Sequence, residues 1–419
     1  MPERRRGITR RQVIAGFFIL VGLLMLVSAV PQLGAGQPVV TRLLFIAGQP
    51  PLQVPSAPAL TLIAVVYMIA GAVALAPRAQ AVGTWLLWSS AALLFPAILI
   101  AVAAGKQPTN AITMISETLR LGTPVALGAL AGIYAERSGV VNIAIEGMML
   151  TGAAFGFAAF VGTGNIWVGV LVATILGGLI ALIHGLLSIS FKTDQIISGT
   201  VINILAIGVT GYLRRQYIVP QGMDHNASGM LTLPEFAIPG LSGIPIIGQV
   251  FFVGKPIFFA MLALVIVTHV VLFYTRWGLR TRAVGENPRA ADTVGINVSR
   301  TRYINIAISG MIAGLGGAWL SLEKVGGFDD GMTAGKGFIA LAAMIFGKWT
   351  PFGSFGGAML FGFSEALGIR LQILKVELFG GPVPIQFLQM LPYVLTIIVL
   401  AGLIGRSVGP AAAGKPYEK

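Results

Sequence analysis

Apolar residues along this chain fall into long, nearly unbroken runs separated by short polar or Gly- and Pro-rich stretches. The runs lie at residues 13–30, 59–76, 82–104, 119–135, 143–163, 167–190, 195–213, 256–275, 302–322, 336–349, 354–374 and 387–405. All but 336–349 approach the roughly 20 residues that an α-helix needs to cross a bilayer core. They do not alternate in polarity as barrel strands do, and backbone in hydrocarbon must bond within its own segment, so each reads as helix. The pattern predicts an all-α, polytopic integral membrane helical bundle of about 10–12 transmembrane helices. The run 336–349 is short enough for a re-entrant half-helix, and 119–163 reads either as two clean spans or as one broken element.

Composition agrees with this class. Hydrophobic residues make up 56% of the 419 and charged residues 10%, against about 25% charged in a soluble domain. Mean hydropathy is +0.86. The net charge of +13 is not a nucleic-acid signal, because much of it falls at the N-terminus, between Arg276 and Arg302, and in the tail with Arg406, Lys415 and Lys419. With no cysteine, disulfides, thiolate metal sites and thiol nucleophiles are excluded. His184, His225 and His269 are scattered and give no metal site. No catalytic constellation and no cofactor motif is present. Gly335-Lys336 is not a phosphate loop, since a Walker A motif needs Gly where Asp330 stands and Ser or Thr where Gly337 stands. If ATP drives this protein, another chain hydrolyses it.

Arg4, Arg5, Arg6, Arg10 and Arg11 precede the first run. A cleaved signal is one reading; an uncleaved first helix with its N-terminus in the cytoplasm is preferred, because the run is long enough to span and more spans follow. The segment 276–302 holds six arginines and only two acids, Glu286 and Asp292. Such an island belongs outside the bilayer and on the cytoplasmic side. Pro288 is placed to open a short helix, with Glu286 and Asn287 as candidate caps and Gly295 as the stop. Threading about twelve crossings from an inside N-terminus puts this island and the tail inside, and the segment 214–255 outside.

Polar residues also interrupt the apolar runs. Glu136, Arg137, Asn142 and Glu146 lie between 119 and 163, with Gly139 and Gly147 able to break a helix. Intramembrane ionisable groups face a bundle interior or a wet cavity, and broken helices near the midplane build transporter sites. The bland reading of Glu136 and Arg137 is a pair in water at a short turn. Asp194, Gln195, Ser198 and Asn203 open the run at 195, where Asn203 is either interhelical glue or path lining. Glu365 is a third intramembrane acid, with Arg370 about one turn away. Gly128 and Gly132, Gly152 and Gly156, Gly310 and Gly314, and Gly353 and Gly357 form small-xxx-small patterns that fit close helix packing.

Four stretches together resemble permeases of bacterial ABC importers for nucleosides, relatives of the simple-sugar and branched-chain amino-acid permeases. They are Ala135-Glu136-Arg137-Ser138-Gly139-Val140-Val141-Asn142-Ile143 with Glu146-Gly147-Met148-Met149-Leu150; Asp194 to Gly199 with Asn203; Arg282 to Ala291 with Gly295-Ile296; and Gly337 to Ala342 with Ile345-Phe346-Gly347. The resemblance covers about 110–405 and divides the chain into added N-terminal helices (1–105), a permease core (106–405) and a cytoplasmic tail (406–419).

It implies a multi-pass protein of the bacterial cytoplasmic membrane with lipid around it, and the charge pattern expects both termini inside. It would pair with a second, related permease as a heterodimer, with ABC ATPase subunits, and with an extracytoplasmic substrate-binding lipoprotein. The resemblance places ATPase coupling on Gly285, Glu286, Asn287, Pro288, Arg289, Ala290, Ala291 and Gly295, as a cytoplasmic coupling helix. Asn142, Glu146, Asn203 and Phe338 are the expected substrate pathway or its gate. The rivals are an ion-coupled secondary transporter using Glu146 or Glu365, and a membrane-embedded enzyme or scaffold.

Overall fold

The computed structural model describes residues 9–33, 39–44, 50–76, 79–104, 109–221, 232–375, 377–378, 381–398 and 407–418. Its helices are α1 (Arg10–Leu33), α2 (Ser56–Leu75), α3 (Gln80–Ala92), α4 (Leu94–Ala103), α5 (Ala111–Arg137), α6 (Ile145–Thr163), α7 (Ile166–Gly185), α8 (Gln195–Leu213) and α9 (Ile247–Phe251). They continue with α10 (Pro256–Tyr274), α11 (Arg276–Glu286), α12 (Pro288–Thr293), α13 (Val298–Ala318), α14 (Lys336–Phe346), α15 (Pro351–Ile373), α16 (Ile385–Gln389) and α17 (Leu391–Ile398). π-Helical turns extend α7, α8 and α13 through Leu186–Ser190, Arg214–Ile218 and Trp319–Val325. No described strand exceeds five residues.

Eight helices among the described residues are long and apolar enough to cross a membrane. α5, at 27 residues, spans about 40 Å, and its charges (Glu117, Arg120, Glu136 and Arg137) stand toward its two ends. The run at 336–349 holds α14, with 11 residues, too short to cross a bilayer core. The run at 82–104 is two helices, α3 and α4, and His225 and Arg406 lie outside the described residues.

The chain divides into two compact units, one of residues 1–116 and 364–406, the other of 117–363 and 407–419. In the first, α1 and α2 pack through Ala15, Phe18, Tyr67 and Ala70, with the Phe18 and Tyr67 rings 5.1 Å apart. β1 (Val40–Leu44) pairs antiparallel with β2 (Leu52–Pro55) and parallel with β3 (Thr109–Asn110). Buried Thr41 donates to the Ile100 carbonyl at 3.0 Å and accepts from Ser56 Oγ at 2.8 Å, so this corner's polar side chains are satisfied.

In the second unit α6 and α13 are central. Their spans are 67% and 72% buried, against 28% for α7 and 39% for α8. Two of the glycine patterns explain how they fit. A Cβ on Gly152 would stand 2.6 Å from the Gly314 carbonyl oxygen, and one on Gly310 would meet the Gly177 backbone. α6, α7 and α13 therefore touch backbone to backbone, the close approach that small residues allow in membranes. Side-chain caps set several helix starts: Asn165 accepts from Trp167 N, Asp194 from Ile196 N and Ile197 N, and Asn297 from Arg300 N.

Candidate functional site: a broken element tied to an arginine-rich segment

α5 and α6 are separated by seven residues, 138–144, without helical backbone. α5 ends because Gly139 takes φ +90°, a conformation open chiefly to glycine. In an apolar interior, backbone groups released from a helix must find other partners. Here side chains from α7 and α8 supply them. Gln195 Oε1 accepts from Val141 N at 2.7 Å, and His184 Nε2 lies 3.0 Å from Val141 O. Asn203 Nδ2 donates to Ile143 O at 3.0 Å, and Asn203 Oδ1 accepts from Gly147 N at 2.8 Å. A carbonyl only accepts, so His184 carries its proton on Nε2 and accepts at Nδ1 from Ser198 Oγ, 2.7 Å away. That role occupies both ring nitrogens, and the described residues hold no cluster able to bind a metal.

Glu146 stands in the first turn of α6 and reaches across to a second helix start. Its Oε1 accepts from Gly335 N at 2.8 Å and its Oε2 from Gly337 N at 2.6 Å. One carboxylate thus caps α14, matched to the positive end of that helix. No side chain fits at Gly337, where a Cβ would lie 2.6 Å from Glu146 Cα. From this cap α14 runs alongside α5, with Ala340 against Gly128 and Met344 against Gly132. Its 11 residues rise about 16 Å, half a bilayer core. The starts of α6 and α14 thus meet alongside the C-terminal half of α5.

Of the four residues expected in the pathway, Asn203 and Glu146 meet around Gly147. Asn142 is fully buried and donates through Nδ2 to Ser309 Oγ on α13 at 2.9 Å. Its Oδ1 has no protein partner. Phe338 is 48% exposed in the first turn of α14, beside the Glu146 cap. Glu136 and Arg137 do not pair in water. Glu136 is buried and accepts from Trp349 Nε1 at 2.6 Å, while Arg137 Nε donates to Trp349 O at 3.1 Å. Both fasten the far end of α14 to the end of α5.

The arginine-rich segment lies at that same end. It is more ordered than its charge pattern implies, since α11 fills residues read as loop. Thr275 Oγ1 caps it by accepting from Gly278 N at 3.2 Å, and the guanidinium of Arg282 sits 5.0 Å from the Phe273 ring centre. α12 starts as expected at Pro288, with Asn287 Oδ1 accepting from Ala290 N at 3.1 Å. Glu286 is not the cap; its Oε2 accepts from Ala411 N at 3.3 Å. The connection ends at Gly295, φ +83°. Val284, Ala291 and Val298 form a small core beneath α12, and Arg289, Ala290 and Val294 face outward. Gly285 is pressed against the Arg137 carbonyl, leaving no room for a Cβ.

Arg302, the last arginine of that segment, is not a solvated charge. It is 1% exposed and donates through Nε to Ser138 O and through Nη1 to Lys415 O, each at 3.2 Å. The basic pattern around it hid this residue, because charge alone reads as exposure.

The opposite end of this unit holds residues that the sequence did not single out. Glu323 accepts from Ile257 N at 2.7 Å and Phe258 N at 3.2 Å, capping α10. Lys255 Nζ donates to Glu323 O at 2.6 Å and Thr232 Oγ1 at 2.9 Å. Burial lowers the Lys255 pKa, and the nearby carboxylates of Glu323 and Glu235 oppose that shift. Arg120 pairs with Glu235 at 3.2 Å. Arg120, Glu235, Lys255 and Glu323 line a recess of about 180 Å³ with Phe258 and Trp319.

The family model described as the permease component of branched-chain amino acid transport systems matches residues 114–413. The guanosine ABC transporter permease protein NupQ of Bacillus subtilis is 40% identical over 319 residues, covering 73% of this chain and 96% of that protein. The nucleoside ABC transporter permease protein NupC of Lactococcus lactis is 37% identical over 315 residues, with the same coverages. The putative glucose ABC transporter permease protein TsgC13 of Haloferax volcanii is 34% identical over 309 residues, covering 70% of this chain and 92% of that protein. No solved structure shows significant similarity.

Proposed function

The chain belongs to the permease family of branched-chain amino acid-type ABC transport systems, and from that premise we propose that it carries nucleosides into the cytoplasm. It is a multi-pass membrane subunit and not itself an enzyme; a separate ATPase hydrolyses ATP. The observation that carries the substrate class is the 40% identity with a guanosine permease across 96% of that relative. The 34% match to a putative glucose permease makes sugars the comparison class.

In this reading the chain sits in the bacterial cytoplasmic membrane with both termini inside. It pairs with a second, related permease and receives solute from a binding lipoprotein outside. Residues 1–105 are an addition to a permease core at 106–405, followed by a cytoplasmic tail. ATPase subunits bind at the segment Gly285 to Ala291 with Gly295, through the outward side of α12 at Arg289 and Ala290. Solute passes near the joint where α6 and α14 begin, with Glu146 and Asn203 at that joint, Asn142 beside it and bonded to α13, and Phe338 at its open side. Motion of α12 reaches the joint through Gly285 against Arg137 and Arg302 on Ser138.

Competition of unlabelled solutes against labelled guanosine uptake tests the substrate class. Inhibition by purine and pyrimidine nucleosides, with glucose and leucine inert at the same excess, is expected. Inhibition by glucose alone overturns the nucleoside reading.

A further inference from the structure

The tail from Ser407 is not a loose end. Ala412 N donates to Gly285 O at 2.9 Å, and Ala411 N donates to Glu286 Oε2. Lys415 O accepts from buried Arg302, whose Nε also holds Ser138 O. Ser407 Oγ donates to Ile345 O at 2.9 Å near the end of α14. Tyr417 packs on the small core beneath α12. Glu418 pairs with Lys192 at 3.2 Å, an exposed contact that adds little. The tail therefore touches the loop at 285–302, the start of the break at 138 and the end of α14.

It also shapes the surface around α12. One groove of about 540 Å³ has Asn287, Pro288 and Arg289 on one wall and Ala411, Lys415 and Pro416 on the other. A second, of about 700 Å³, runs past Asp292, Gly295 and Asn297 toward Lys192. Tyr417 lines both. A protein seated on Arg289 and Ala290 must lie across these grooves, and so against the tail.

We propose that the tail, residues 407–418, is a working part of the ATPase docking surface: it forms one wall of the α12 grooves and ties α12 to the broken element through Arg302. This rests on the reading of α12 as the ATPase contact. The occupant it commits to is the nucleotide-binding subunit, because the surface is continuous with α12.

The chain has no cysteine, so single substitutions give unique attachment points. The full chain is expressed in membranes with its transporter partners as Ala290→Cys, Ala411→Cys or Glu418→Cys, each labelled with a benzophenone maleimide and irradiated. Captured polypeptides are identified by mass spectrometry through a Walker A peptide. The expected result is capture of an ABC ATPase from Ala290→Cys and from at least one tail position. Capture from Ala290→Cys alone overturns the proposal and leaves the α12 reading standing. No capture from any position overturns both. A chain stopped after Gly409 is expected to reach the membrane at normal level, lose ATPase co-purification and lose uptake at least tenfold. Unchanged co-purification and uptake overturn the proposal; if that chain does not accumulate, the cross-linking result decides.

Discussion

Replacing Glu146 by Ala tests the claim that one carboxylate joins the starts of α6 and α14. The wild-type side chain accepts two backbone N–H groups, at 2.8 and 2.6 Å. A hydrogen bond to a charged group contributes about 1.5–3 kcal/mol net. Removing the carboxylate leaves both donors without a partner, so the loss is about 3–6 kcal/mol, a large part of a typical stability of about 5–15 kcal/mol. Glu146→Gln keeps one acceptor oxygen and turns its NH₂ toward the other donor, so it should retain about half of this. With roughly 2–4 °C per kcal/mol for a unit of this size, Glu146→Ala should unfold about 6–24 °C below wild type, with Glu146→Gln between them. The assay is thermal unfolding of the purified chain in nanodiscs, with uptake kinetics alongside. An Ala variant within 2 °C of wild type, on the order of the 1 kcal/mol limit, refutes the reasoning. So does a Gln variant of wild-type stability whose KM alone rises, since that behaviour belongs to a group binding solute and not to a cap.

Three further outcomes follow from the same geometry. Asn203→Leu removes both side-chain bonds, to Ile143 O and from Gly147 N, and should cost about 2–4 kcal/mol, while Val201→Leu, at an exposed position of the same helix, should cost nothing measurable; equal melting temperatures for the two would contradict this role. Gly152→Leu forces apart α6 and α13 where a Cβ already meets the Gly314 carbonyl, so the chain should fail to accumulate in the membrane, and normal accumulation would refute the packing. Arg302→Met removes the tie between Ser138 and Lys415, so the tail should become accessible to added carboxypeptidase in permeabilised membranes, whereas equal protection in both chains would show that Arg302 does not hold it.

Eight of the twelve runs were legible as spans because hydrophobic length is set by the bilayer, and the run at 336–349 showed through its shortness as a helix of 11 residues. α12 was legible from Pro288, Asn287 and Gly295, which act locally. What Glu146 and Asn203 bond was not legible. Their partners are backbone groups up to 191 residues away, and no local pattern records which carbonyl or N–H a side chain will meet. α11 was missed because its arginines resemble a solvated loop, and Arg302 because burial of a cation depends on carbonyls of Ser138 and Lys415 from distant segments. Glu323 lies at the end of a long apolar run, where an acid looks like an ordinary boundary; only the fold brings α10's first turn to it.

The central claim is an ABC permease for nucleosides, driven by ATP through α12 and not by an ion gradient. Its most direct test is labelled guanosine uptake in cells expressing the chain with its transporter partners, measured separately after ATP depletion and after collapse of the proton and sodium gradients with ATP held constant. Uptake should stop on ATP depletion and persist without the gradients. Uptake that survives ATP depletion and stops when the gradients collapse would contradict the account and point to a carboxylate-coupled secondary transporter.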